Sequence, residues 1–135
     1  LMNNPVYTET LTFGDFKRFL SGISTLRNSC KDIQVVNGVI RTWSDDRKVL
    51  HEVNLVQEIL DASFAISNLK NFIDTLRRFS NRIKCSITFS IYDTYCSFKT
   101  SDSCESQRIV RIPIISYEEN INNNFINEED LINEL

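Results

Sequence analysis

Four cysteines and a single histidine are the residues of this 135-residue chain best suited to nucleophilic or metal chemistry. A structural zinc needs about four nitrogen or sulfur ligands that converge. Cys30, Cys85, Cys96 and Cys104 form no C-x-x-C pair, and His51 stands alone. No metal site is expected, and the four thiols are expected to be reduced and packed, as in a cytosolic protein. A catalytic reading would need Cys96 or Cys30 as nucleophile and His51 as base, and no local spacing brings them together. The sequence also lacks G-x-x-x-x-G-K-[ST], G-x-G-x-x-G and H-E-x-x-H, which removes the usual phosphate-loop, dinucleotide and zinc-hydrolase chemistries. The expectation is a non-enzymatic protein with no catalytic residue, no metal and no cofactor.

Charge offers a different chemistry. The net value of −3 comes from 15 bases and 18 acids, but the two signs are segregated. Residues 1–112 hold all 15 bases and 12 acids, whereas residues 113–135 hold six acids and no base. Inside the body, the stretches 12–27 and 67–82 carry seven bases against two acids. Positive charge gathered on two segments can offer one face to phosphates, the sequence-independent term in nucleic-acid binding. Lysine and arginine are also good helix formers on a solvated face, so the pattern serves both readings.

Those two segments must be helices if the charges are to share a face. Thr12-Phe13-Gly14-Asp15 resembles a capping box. Phe13, Phe16, Leu20 and Ile23 follow at helical spacing, widened by Phe19 and Leu26, with Lys17, Arg18, Ser21 and Ser24 off the stripe. The second segment repeats the design: Leu69, Phe72, Ile73, Leu76 and Phe79 form the apolar stripe, and Lys70, Asn71, Asp74, Arg77, Arg78 and Asn81 point away. Residues 15–20 match residues 68–73 at a separation of 53, the mark of a duplicated unit.

Strand patterns fill the rest. Residues 33–36 and 39–43 flank Asn37-Gly38, a type I′ hairpin signal. Further strands are expected at 6–11, 49–55, 62–66, 95–100 and 107–112, and at 83–91, where Ile83, Cys85, Ile87, Phe89 and Ile91 alternate. The order is β-α-βββ twice over. The expected fold class is α+β, with duplicated β-α-βββ units and two helices packed on one side of antiparallel sheet. Residues 127–131 repeat the pattern of 12–16, so the chain divides into a domain at 1–112, a connector at 113–124 and, at 125–135, the start of a second domain of a longer protein. A frayed acidic tail is the other reading of that segment. No run approaches the roughly 18 apolar residues of a membrane span, and the first residues lack the basic and apolar regions of a secretory signal.

This pattern resembles the DNA sliding clamps, the ring-shaped polymerase processivity factors that include proliferating-cell nuclear antigen and the phage-type clamps. The resemblance rests on the paired helices with Phe16-Lys17 and Leu69-Lys70 in register, on Asn37-Gly38-Val39-Ile40 leading to Trp43-Ser44-Asp45-Asp46, on the strand at 49–55, and on Ile112-Pro113 before Tyr117-Glu118-Glu119. It covers most of residues 6–135 through small motifs. It implies that Lys17, Arg18, Lys70, Asn71, Arg77 and Arg78 face DNA, with Asp74 opposing them on the same face. It also implies a hydrophobic partner-binding pocket, for which Trp43, Val49, Ile114 and Ile115 are the candidates. The implied partners are duplex DNA bound without sequence preference, a DNA polymerase, a clamp loader and further copies closing a homo-oligomeric ring, with no membrane. The implied place is the cytoplasm, or the host cytoplasm for a viral protein. The alternative is a non-enzymatic peptide-binding or virion structural α+β module whose basic helices are merely solvated.

Overall fold

The computed structural model describes residues 4–36, 39–43, 50–54 and 63–115. The chain runs β1 (Tyr7–Leu11), α1 (Phe13–Ser24), β2 (Ile33–Val36), β3 (Val39–Trp43), β4 (Leu50–Asn54), β5 (Ser63–Ile66), α2 (Leu69–Ser80), β6 (Ile87–Ile91), β7 (Tyr95–Thr100) and β8 (Ile109–Pro113). This is the duplicated β-α-βββ order, and both sheets are antiparallel throughout. The strands are exchanged between the two units. One sheet runs β1-β6-β7-β8 and the other β4-β3-β2-β5, so the first strand of each unit lies against the three-strand meander of the other. A bridge between Ala65 and Ile115 joins the two sheets.

Local chemistry explains the elements. The Thr12 side-chain oxygen accepts the Asp15 N–H at 3.1 Å, and the Asn68 side chain accepts the Asn71 N–H at 3.1 Å, so each helix opens on a side-chain cap. The helices are shorter than the stretches 12–27 and 67–82 expected from sequence. Past Ser24 the chain tightens into three-residue turns, with the Leu26 and Arg27 N–H groups donating to Ile23 and Ser24. Past Ser80, Asn81 leaves helical geometry with ψ of 122°. Phe13 and Leu69 open the helices 56 residues apart, whereas the buried stripes match at 53. The repeat therefore has two registers, about one helical turn apart.

Val36 pairs with Val39, and the turn expected at Asn37-Gly38 lies outside the described residues. The strand expected at 83–91 starts only at Ile87. Its first residues form a link from α2 instead, in which Arg82 has a positive φ of 64° and Cys85 is bonded to Cys104. This disulfide corrects the expectation of four reduced thiols. The β6–β7 register, continued past Ile87↔Thr100, sets Cys85 beside the following loop. The Cys104 N–H then donates back to the Ser101 carbonyl and folds the loop over. Spacing along the chain cannot show such a pair; register does. At the start of the expected connector, Pro113 ends β8 and Ile115 bridges to β5. The segment 125–135 lies outside the described residues.

The core is aromatic. Phe98 of β7 meets Phe16 of α1, Phe72 of α2 and Phe89 of β6, with ring centroids 5.9, 6.1 and 4.9 Å away. Phe89 continues the cluster to Phe64 of β5, in the other sheet, at 5.4 Å. Most of these pairs are edge-to-face or tilted, the arrangement that adds to simple area burial. Phe98 has no exposed surface and touches both helices. Phe98→Ala is therefore expected to cost about 3–5 kcal/mol, read as a lower urea midpoint at unchanged m-value, and a loss under 1 kcal/mol would count against the hub.

Candidate nucleic-acid interface

Burial of the two apolar stripes decides where the polar faces go. Phe16, Phe19, Leu20, Ile23 and Leu26 are buried on the first segment, and Leu69, Phe72, Ile73, Leu76 and Phe79 on the second. Phe16 meets Phe79, and Phe19 meets Phe72, each at 6.4 Å, so the helices lie side by side and antiparallel. Phe13 is only partly buried, and the Lys17 ammonium sits 5.7 Å from its ring centroid. Lys17, Arg18, Lys70, Asn71, Arg77 and Arg78 are all exposed, so the residues implied to face DNA share one solvent-facing layer.

The acids of this layer are paired. Asp15 forms an i,i+3 ion pair with Arg18. Asp74 does not oppose its basic neighbours unpaired, as sequence suggested. Arg27 grips it with two hydrogen bonds, Nε to Oδ1 at 3.2 Å and Nη2 to Oδ2 at 3.0 Å. The hydrogen bond from Arg27 is the main reason that the Asp74 carboxyl titrates below its ordinary value; partial burial opposes it, and the charges of Arg27, Arg77 and Arg78 reinforce it.

Two recesses flank the helix pair. One, of about 670 Å³, is lined by Lys17, Ser21 and Ser24 of α1 together with Arg77, Arg82 and Lys84. The other, of about 450 Å³, is lined by Arg27, Lys31, Ser67, Asn68 and Lys70. Among the described residues no acidic side chain lines either of them. Arg82, Lys84, Arg27 and Lys31 were missed by the sequence reading of the site; for Arg82 and Lys84 the run of bases from Arg77 to Lys84 was the available signal. The link carrying Arg82 and Lys84 is held from the sheet side. The Arg108 guanidinium donates to the carbonyls of Phe79 at 3.0 Å and Asn81 at 2.7 Å, satisfying acceptors that the end of α2 leaves open. Ile83 is buried beneath it.

The other candidates fall elsewhere. Ile114 donates its N–H to Thr94 at 3.1 Å, and Ile115 exchanges hydrogen bonds with Ala65 at 3.0 and 3.2 Å, so this pair helps join the sheets. The Trp43 backbone pairs with Leu50, while its side chain and all of Val49 lie outside the described residues. Burial pushes the Cys96 thiol up to about 12, which keeps it protonated at neutral pH. It lies in β7, whereas His51 lies in β4 of the other sheet. Among the described residues no group of three or more His, Cys, Asp or Glu is placed to hold a metal ion. No helix among them is long and apolar enough to cross a membrane.

No protein-family model matches the chain, and no curated protein matches it either. The geometry thus has to carry the functional argument.

Two outcomes follow from this surface. Because the folded pKa of Asp74 is depressed, its contribution to stability is present above the ordinary carboxyl value of 3.8 and is lost as pH falls through the folded value. Asp74→Asn should therefore lower the melting temperature at pH 7, and the gap to wild type should close in acid; a gap independent of pH would assign the effect to packing. Arg82 holds a left-handed conformation that costs an L residue about 1–2 kcal/mol, part of which glycine recovers. Arg82→Gly should raise stability by about 0.5–1 kcal/mol in urea denaturation, and Arg82→Val should lower it.

Proposed function

We propose that this chain is a domain of a DNA sliding clamp-like processivity factor, a non-enzymatic protein that encircles duplex DNA as a ring and tethers a DNA polymerase. The observation that carries the reading is the exchanged pair of β-α-βββ units, which sets two antiparallel helices side by side with one cationic layer exposed. Both acids on that layer are tied to arginines. Lys17, Lys70, Arg77, Arg82 and Lys84 are left with no carboxylate partner among the described residues, free to attract phosphates.

Such a surface suits sliding. Phosphate contacts from long, solvated side chains hold a duplex without reading base edges, so successive positions along the DNA are nearly equal in energy. The reading implies that further copies close the ring, that a clamp loader opens it, and that the protein works in the cytoplasm or, for a viral protein, the host cytoplasm. One observation favours the alternative of a virion structural module. Cys85–Cys104 is a disulfide, and disulfides persist most readily outside reducing compartments.

Retention of the full-length protein on nicked circular duplex DNA, scored against salt, separates the two. Replacing Lys17, Arg18, Arg77 and Arg78 together by Glu should leave far-ultraviolet circular dichroism unchanged and reduce retention. Each lost phosphate contact should flatten the slope of log K against log salt by about 0.9, equally for all DNA sequences. Equal retention and equal slopes in the two proteins would overturn the clamp reading.

A further inference from the structure

The described cysteines fall into two classes. Cys30 and Cys96 are buried, whereas Cys85 and Cys104 are only partly covered and are bonded to each other, with Cα atoms 5.6 Å apart. The bond is the covalent tie between the short link from α2 to β6 and the loop from β7 to β8, which hydrogen bonds from Ser101 to Ser86 and from Arg108 to Phe79 and Asn81 also join. The link carries exposed Arg82 and Lys84 on either side of the buried Ile83, and both cations line the recess with Lys17 and Arg77. On the loop side, Glu105 follows Cys104 and lines a neighbouring recess together with Arg82 and Lys84. It makes no ion pair with either among the described residues.

We propose that the Cys85–Cys104 disulfide is a thiol-sensitive clip: closed, it holds Arg82 and Lys84 in the cationic recess beside α1, and opened, it frees them to pair with the neighbouring Glu105 and weakens their grip on a phosphate backbone. This rests on the reading of the helix layer as a DNA-facing surface. Opening is an exchange with a cellular dithiol. A thiolate of the dithiol attacks one cysteine sulfur, forming a mixed disulfide and releasing the other sulfur as thiolate, and the second thiol of the dithiol then displaces the first sulfur. Two electrons pass from the dithiol, which leaves as its own disulfide, and its two protons end on Cys85 and Cys104. The buried Cys30 and Cys96 stay outside this exchange, Cys96 all the more because its thiol remains protonated.

The rest of the region does not depend on the bond. The Ser101 N–H donates to Ser86 at 3.0 Å, the Gln107 amide donates to the carbonyls of Ser101 and Cys104, and Arg108 caps α2. Opening is therefore local: with those hydrogen bonds kept, only the stretches 82–85 and 102–105 gain freedom, which loosens the placement of Arg82 and Lys84 next to Glu105 and leaves the aromatic core in place.

The test compares the full-length protein purified under air with the same protein after dithiothreitol, alongside Cys104→Ser. Alkylation in denaturant without reductant should modify Cys30 and Cys96 only, and after reduction all four cysteines. Amide exchange at 82–85 and 102–105 should speed up on reduction and stay unchanged in α1. On an immobilised DNA duplex, reduced protein and Cys104→Ser should elute at lower salt, with a salt slope flatter by up to about 1.8, the value for two lost phosphate contacts. Four alkylated cysteines before reduction, or equal elution of oxidised and reduced protein, would overturn the inference. If the quadruple Glu variant loses retention while reduction changes nothing, the clip falls and the clamp reading stands. If neither change alters elution, both fall. Should Cys104→Ser fail to fold, chemical reduction of the natural protein still decides.

Discussion

Strand exchange is the constraint on which the rest of this structure depends. β1 belongs in sequence to the first unit but pairs with β6 of the second, and β5 belongs to the second but pairs with β2 of the first. Neither unit can complete its own sheet, so neither can cover the apolar stripe of its own helix. The aromatic cluster expresses the same dependence in side chains. Phe98 of the second unit is packed at once by Phe72 of its own helix and by Phe16 of the other. Two such units meet much as two subunits meet about a two-fold axis, each offering the other what it lacks. The helices are thereby forced to be adjacent and antiparallel, and their solvent faces fuse into one layer.

Electrostatics on that layer follows from the packing. Asp15 and Asp74 are its acids, and each is matched to an arginine. The Arg27–Asp74 pair also joins the turns after α1 to the middle of α2, so it fixes the helix pair while removing one charge of each sign from the surface. What remains is a set of cations on long, hydrated stems over a screening length of about 8–10 Å at ordinary salt. Partly exposed ion pairs of this kind contribute only modestly to stability. Their importance lies in the field they leave, which is positive on the helix side because the acids there are already engaged.

Much of the fold was legible because it is local. The helical stripes obey the period of the α-helix, Thr12 caps at the expected distance, and Ile87, Phe89 and Ile91 alternate as a half-buried strand must. What was not legible depends on partners distant in sequence. The exchange of β1 and β5 leaves no trace in periodicity. The pairing of Cys85 with Cys104 depends on the β6–β7 register and the loop beyond it. Asp74 looked like a defect in a basic face because its partner, Arg27, lies 47 residues away. Ile114 and Ile115 stood out only as candidates for a partner pocket, and the bridge from Ile115 to Ala65 that joins the sheets has no signal in the sequence. The six exposed helix positions could be placed from pattern alone, whereas Arg82 and Lys84 were hidden inside what looked like the end of one helix and the start of one strand.

Arg82 bears on the choice between a solvated face and a phosphate-facing one. The position just after the C-cap Asn81 is left-handed, where glycine or asparagine is favoured and where an arginine carries a conformational cost. Nothing in the packing requires a side chain there, because Arg82 is exposed and the link is already anchored by Ile83 below and by Arg108 on the end of α2. A module that merely keeps its helices wet gains nothing from strain at this position, since any polar residue solvates as well. A surface that has to attract phosphates gains a permanently charged, multiply donating group at the mouth of a recess already lined by Lys17, Arg77 and Lys84. Local stability given up for charge at one point is the pattern expected where binding, rather than folding, sets the residue.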